Sequence, residues 1–305
     1  ATSEFIFFIY PDGSTLSKNT VYSRQATVKD AFEFHEAMIM HGPGTRPADN
    51  IEIFDTVTVI NMDGAVEVLD GEDGGINAIG DDPIIPDAAP NITRINLTHT
   101  DFDTYTIMEH GGTLEIRPYF EQGFEEAYPG YHFVSWDHWP VNLIRAFGRG
   151  TEASAYPSHT SLFHMMHNPN HSTTDTSATR LLLTGLSTIT DAEVTTLAKS
   201  WLNAPQIANV TGATAFVYDE TQRAYHLTTA SNTLAFTLDG SQTNPIVNPA
   251  FVLNGWSSTT PVTVKVDGET IESVKQGLTR NTNGQPTLIL FVPLNAERAT
   301  RFEIN

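Results

Sequence analysis

The chain has 305 residues, a formal charge of −20, a pI of about 4.7 and no cysteine. Its 40% hydrophobic and 17% charged content excludes wholesale disorder, and the absence of cysteine excludes disulfides, thiolate metal sites and a cysteine nucleophile. Strong acidity argues against nucleic acid as a partner, and no apolar run reaches the ~18–20 residues of a membrane-spanning helix. The length accommodates one large domain or two smaller ones.

In chain order, Ala1-Thr2-Ser3 carries no basic or apolar leader, so no signal peptide is expected. Glu4–Tyr10 is an apolar and aromatic run closed by Pro11-Asp12-Gly13, which predicts a buried strand and a turn. Residues 27–41 carry both a capping pattern (Thr27, Asp30) and strand-like alternation at Phe32 and Phe34; the strand-like neighbours favour strand. From 51 to 120 the pattern is β: Ile51–Phe54, Thr56–Ile60, Ala65–Leu69, Asn91–Asn96 and Thr113–Pro118. Asn61-Met62-Asp63-Gly64 reads as a turn, and Asp70–Gly75 and Asp81–Pro83 read as acidic turns.

Two helices are predicted. Pro140–Phe147 has proline at its start and Gly148 at its end. Asp191–Leu202 follows Thr190, whose capping box is completed by Glu193, and Val194, Leu197, Ala198, Trp201 and Leu202 share one face. Beyond it the chain returns to strands at Thr214–Tyr218, Ala224–Thr228, Thr233–Leu238, Phe251–Leu253, Leu288–Val292 and Arg301–Ile304. Val262–Val266 and Glu269–Ile271 flank Asp267-Gly268 as a hairpin. The fold class expected is all-β, mainly antiparallel: a large double β-sandwich with one or two short helices, divided into 1–206 and 207–305.

The charge is unevenly placed. Residues 1–130 carry −17, residues 131–180 carry 0 and residues 181–305 carry −3. The neutral middle also holds six of eleven histidines and two of four tryptophans. Within it His138, His159 and His164 suit acid–base work, Arg145 and Arg149 suit clamping of an anion, and Tyr131, Trp136, Trp139 and Tyr156 suit stacking on a sugar. His159, His164, His167 and His171 are candidate ligands for zinc, although Asn168-Pro169-Asn170 breaks any helix that would align the last three. The acidic turn at 70–75 is a candidate for calcium that departs from the EF-hand pattern. Four glycosylation-type sequons begin at Asn91, Asn96, Asn170 and Asn209, a pattern that threonine-rich chains also produce by chance.

Trp136-Asp137-His138-Trp139-Pro140-Val141, Gly148-Arg149 and Pro157-Ser158-His159-Thr160-Ser161 resemble stretches of secreted bacterial proteins of polysaccharide degradation. With the tail from Asn248-Pro249-Ala250-Phe251-Val252, the likeness is to β-sandwich regions of polysaccharide lyases, with no single family marked out. That resemblance implies a secreted protein acting on a uronate-containing polysaccharide by β-elimination. The reaction would set Arg145 or Arg149 against the uronate carboxylate, His138 or His159 as base, and Tyr131 or Tyr156 as acid. Two other readings stand beside it. One is a non-enzymatic adhesin, matrix or filament subunit that self-associates. The other is a glycoside hydrolase, for which Asp137, Glu152, Glu125 and Glu126 are candidate carboxylates.

Overall fold

The computed structural model describes residues 2–22, 31–40, 56–69, 91–96, 101–109, 113–117, 159–167 and 177–305, with the backbone alone described at 31–40, 113–117 and 159–167. Strands dominate throughout. Contacts divide the chain into two units: 1–5 with 19–191, and 6–18 with 192–305.

The first unit contains most of a seven-stranded sheet. Its strands are β1 (Thr2–Ile9), β2 (Thr15–Tyr22), β4 (Thr56–Ile60), β5 (Val66–Leu69), β6 (Ile92–Asn96), β7 (Asp103–Met108) and β10 (Ser177–Ser187), in the order β1-β2-β10-β7-β6-β4-β5. A separate three-stranded sheet joins β3 (Ala31–Met40), β9 (His159–His167) and β8 (Thr113–Arg117). Residues 27–41 are therefore strand where they are described. Turn chemistry sets the hairpins. Gly64, at φ 88°, donates to Asn61 O, while the Asn61 side chain accepts from the amides of Asp63 and Ala65 and joins β4 to β5. Val59, Ile60, Ile92, Ile107, Met108 and Leu183 are buried, with the neighbours Val59 and Ile60, and Ile107 and Met108, on opposite faces of the sheet.

β1 corrects an expectation. Its apolar run predicts a buried strand, yet Phe5, Phe7 and Ile9 are 59%, 60% and 78% exposed. The reason is position: β1 is the last strand of its sheet, with β2 as its one neighbour among the described strands. A continuous apolar run reports strand propensity; it does not report what lies alongside.

α1 (Asp191–Leu202) forms as the capping pattern and apolar face predict, and from Ala192 on it belongs to the second unit. Val194, Leu197, Ala198 and Trp201 are buried along that face, and the Trp201 indole N–H donates to Glu220 O at 2.9 Å. Tyr218 Oη returns a bond to Trp201 O at 3.0 Å, and Asn244 closes the helix end by donating to Asn203 O. These bonds tie the helix to the strands that follow, and contacts group Ala192–Asn305 in the second unit.

Two five-stranded sheets follow. One comprises β11 (Ile207–Thr211), β14 (Leu234–Asp239), β17 (Val264–Val266), β18 (Glu269–Thr270) and β22 (Ala299–Ile304), ordered β11-β14-β22-β17-β18. The other comprises β12 (Ala213–Asp219), β13 (Ala224–Thr229), β16 (Ala250–Asn254), β19 (Lys275–Arg280) and β20 (Pro286–Phe291), ordered β12-β13-β16-β20-β19. A short pair, β15 (Ile246–Val247) with β21 (Asn295–Ala296), completes the unit. Alternate residues of both large sheets supply one core: Phe236, Leu238 and Phe302 from the first, Leu227, Phe251, Leu253, Leu288 and Leu290 from the second. Phe236 stacks on Phe302 at 5.3 Å, and Phe251 meets both rings edge-on. Asp267 and Gly268 take φ 50° and 88°, the two positive values that a tight β17–β18 hairpin requires. β13 and β16 run parallel; the other strand pairs of this unit are antiparallel.

Candidate functional site

Most of the neutral middle falls outside the described residues. Tyr131, Trp136, His138, Trp139, Arg145, Arg149, Tyr156 and His171 all lie there, as do the predicted helix 140–147, the strand 51–54 and the acidic turns at 70–75 and 81–83. His159, His164 and His167 lie on β9, where the backbone register is defined. His159 is opposite Met40, His164 sits between Phe34 and Ile116, and His167 sits between Ala31 and Thr113.

Strand placement narrows the metal proposal. Eight strand positions hold the backbones of His159 and His167 about 26 Å apart, too far for one ion to take both side chains. His159 and His167 therefore do not share one ion, and His171 lies outside the described residues. Among the described residues no group of three His, Asp or Glu side chains is placed to hold a metal ion. No described helix is long and apolar enough to cross a membrane.

Two polar clusters are fully described. In the first unit, Arg94 of β6 donates through Nη1 to Asp103 Oδ2 at 2.5 Å and through Nε to Asp191 Oδ1 at 2.7 Å. The clamp borders an open cleft of about 390 Å³ lined also by Asp101, Phe102 and Thr188. One guanidinium spans two carboxylates there, so its charge is already matched and the cleft carries no surplus positive charge for an anionic substrate. What the clamp does is join β6 and β7 to Asp191, all within the first unit.

In the second unit, the turn Tyr10–Ser14 meets Arg223, which is 5% exposed. Arg223 donates to Ser14 Oγ at 3.2 Å and to Val247 O at 3.0 Å, lies 3.8 Å from Asp12, and stacks over the Tyr10 ring at 5.2 Å. Tyr10 Oη donates to Gln222 O, and Asn248 donates to Asp12. Burial works to raise the Asp12 carboxyl, but Arg223 and the hydrogen bonds from Ser14 and Asn248 outweigh it and hold it below its usual range. Burial pushes the phenols of Tyr10, Tyr218 and Tyr225 above the ordinary 10, so they stay protonated donors at neutral pH. His226 is held below its ordinary value by burial, against the pull of Asp219 at 4.0 Å. That separation is too long for a catalytic hydrogen bond. A cavity of about 10 Å³ beside Tyr218 and Arg223 has room for roughly one water, so this cluster is a structural knot.

Sequence reading missed Arg94, Arg223 and their partners. Only a pattern joining positions as far apart as 94 and 191, or 12 and 223, would have found them, and one sequence carries no such signal. No protein-family model, curated protein or solved structure matches the chain.

Proposed function

We propose that the chain is a secreted carbohydrate-active β protein that cleaves a uronate-containing polysaccharide by β-elimination. The observation that carries the reading is the charge distribution: a stretch of net charge 0, rich in His, Arg, Trp and Tyr, within a chain of −20. An anionic polymer is repelled by most of such a surface and tolerated at that stretch. Arg145 or Arg149 neutralises the carboxylate, so the neighbouring C5 proton becomes acidic enough for His138 or His159 to remove. The C4–O bond breaks, a C4–C5 double bond forms, and Tyr131 or Tyr156 protonates the leaving oxygen. The all-β architecture, with His159 on β9, supports the reading.

The test is ultraviolet absorbance of the unsaturated product during incubation with a panel of uronate polymers. Turnover is expected, and His138→Ala, His159→Ala or Arg149→Ala should lower kcat by about 10²-fold or more while circular dichroism stays unchanged. Silence across the panel overturns the proposal.

A second reading, a self-associating adhesin, matrix or filament subunit, is favoured by β1. Its exposed Phe5, Phe7 and Ile9 lie on an edge strand whose sequence has no Lys or Pro to block strand addition. Under that reading Phe7→Lys abolishes concentration-dependent association in sedimentation and leaves any turnover intact. The hydrolase candidates Asp137, Glu152, Glu125 and Glu126 lie outside the described residues, and the described Asp103 and Asp191 are both paired with Arg94.

A further inference from the structure

The chain contains two Asn-Gly pairs, Asn254-Gly255 and Asn283-Gly284, both in the second unit. Asparagine side chains are chemically labile. A glycine that follows one has no Cβ to shield its backbone nitrogen from the asparagine side-chain carbonyl carbon. Nitrogen and carbon belong to the same short segment, so proximity favours their reaction wherever the backbone is free to bring them together. The structure holds the two asparagines very differently.

Asn254 is held from both sides. It ends β16, paired with Thr228 of β13 and with Thr287 of β20. Its Oδ1 accepts from Asn281 Nδ2 at 3.1 Å and from Thr287 Oγ1 at 3.2 Å. The Gly255 amide donates to Pro286 O at 2.9 Å, and Thr229 Oγ1 donates to Asn254 O at 3.0 Å. Attack at Asn254 therefore requires parting the inner strands of the sheet. Asn283 stands instead at the tip of the β19–β20 hairpin, where Thr282, Asn283, Gly284 and Gln285 are all exposed. Among the described residues no hydrogen bond is made by its side-chain amide, and the space beside Gly284, at φ 75°, is open. The bonds that shape the tip are few: the Gly284 amide donates to Asn281 O at 2.8 Å, and Asn281 Oδ1 accepts from the amides of Asn283 and Gln285. β19 is exposed along its length, with β20 as its one neighbour among the described strands. Such a tip opens locally and leaves the buried Leu288 and Leu290 in place.

We infer that Asn283 is a site of spontaneous covalent modification, converted to aspartate and isoaspartate with water as the sole co-reactant, and that Asn254 is protected from the same reaction. Once the turn bond opens, Gly284 N attacks Asn283 Cγ and closes a five-membered succinimide. The side-chain nitrogen leaves as ammonia, carrying the proton that Gly284 N gives up. Water then adds to one of the two ring carbonyls. Breaking the bond between Cγ and nitrogen gives aspartate; breaking the bond between the main-chain carbonyl carbon and nitrogen gives isoaspartate. Either product adds a negative charge near Arg280, whose Nη1 donates to Gly284 O at 2.6 Å. Isoaspartate also inserts a carbon into the main chain, so the two bonds that Asn281 Oδ1 accepts across the tip lose their spacing. The modified tip is thus more acidic and less firmly knit.

The experiment incubates the full chain at mildly alkaline pH, folded in buffer and unfolded in guanidinium, and then cuts it with trypsin. Arg280 and Arg298 bound the fragment that holds Asn283, and Arg223 and Lys265 bound the one that holds Asn254. Tandem mass spectrometry follows the loss of ammonia and gain of water at each asparagine over time. In the unfolded chain the two sites should react at similar rates. In the folded chain Asn283 should stay within about tenfold of its unfolded rate, whereas Asn254 should fall at least about a hundredfold below its own, the gap between fraying of a tip and opening of a buried ladder. Asn283→Gln should abolish conversion in its fragment, since glutamine cannot close the five-membered ring, and should leave the rate at Asn254 unchanged. Folded-state conversion at Asn283 as slow as at Asn254 overturns the inference, as does conversion in the 281–298 fragment that persists in Asn283→Gln.

Discussion

Arg223 holds a left-handed backbone conformation, φ 42°, immediately after a short 3-10 turn (Glu220–Gln222) that Asp219 caps. L-residues pay about 1–2 kcal/mol for that conformation. Its side chain repays the strain by meeting Ser14, Asp12, Val247 and the face of Tyr10. Two substitutions separate the terms. Arg223→Ala keeps the strained backbone, loses the contacts and strands a partly buried carboxylate, so urea unfolding should show a loss of about 3 kcal/mol. Arg223→Gly loses the same contacts but relieves the backbone, and should be about 1 kcal/mol more stable than the alanine variant. Equal stability of the two would show that the conformation costs nothing. His226 gives a pH prediction of defined sign. Its folded-state value lies below the ordinary 6.5, chiefly through burial. As pH falls through 6.5 the unfolded chain takes up the proton first, so stability declines from there down to the folded value and is complete above 6.5. Comparing thermal unfolding of wild type and His226→Gln across pH 5 to 7 should show a shallower decline in the variant.

At the scale of elements, Gly185 of β10 lies opposite Tyr105 of β7, and the tyrosine ring occupies the space a Cβ would need. The bare glycine lets a buried aromatic cross the strand, a cross-strand pair of unequal partners. Gly185→Ala should therefore cost about 2 kcal/mol in denaturant unfolding through overpacking, although alanine is the better strand former of the two. No change would mean that the ring moves freely. The same pair explains a missed element. β10 is interrupted by Gly185 and so forms no unbroken run of strand formers. β2 and β19 are largely polar and also went unread, since edge and near-edge strands need little apolar content. Elements whose local signals agree were read to within a residue or two: α1, and the β4–β5 and β17–β18 hairpins with their Asn61–Gly64 and Asp267-Gly268 turns.

Across the whole molecule, the two units are not two consecutive lengths of chain. Residues 6–18 belong with 192–305, so the turn Tyr10–Ser14 stabilises strands some two hundred positions later. Removing residues 1–18 should deprive Arg223 of Tyr10, Asp12 and Ser14. Hydrogen exchange should then accelerate at residues 220–226 and 246–248, while β14 and β22, in the Phe236–Phe302 core, stay protected. Unchanged exchange at 220–226 would show that the turn is dispensable. The candidate lyase residues are a different matter. Composition made their stretch visible, because charge and aromatic content add along a sequence, but convergence of His138, Arg149 and Tyr156 depends on distances that no spacing encodes.

The acidity, the lack of cysteine and the β-rich pattern follow from the sequence alone, because propensity and turn chemistry act over a few residues. So does α1, whose cap and apolar face are local. Tertiary structure alone decided that β1 is an exposed edge, that Arg94 and Arg223 are held by residues far along the chain, that one ion cannot take both His159 and His167, and that Asn254 is held while Asn283 is exposed. Each of those depends on which strand lies beside which, and strand order is set by the packing of the whole sheet.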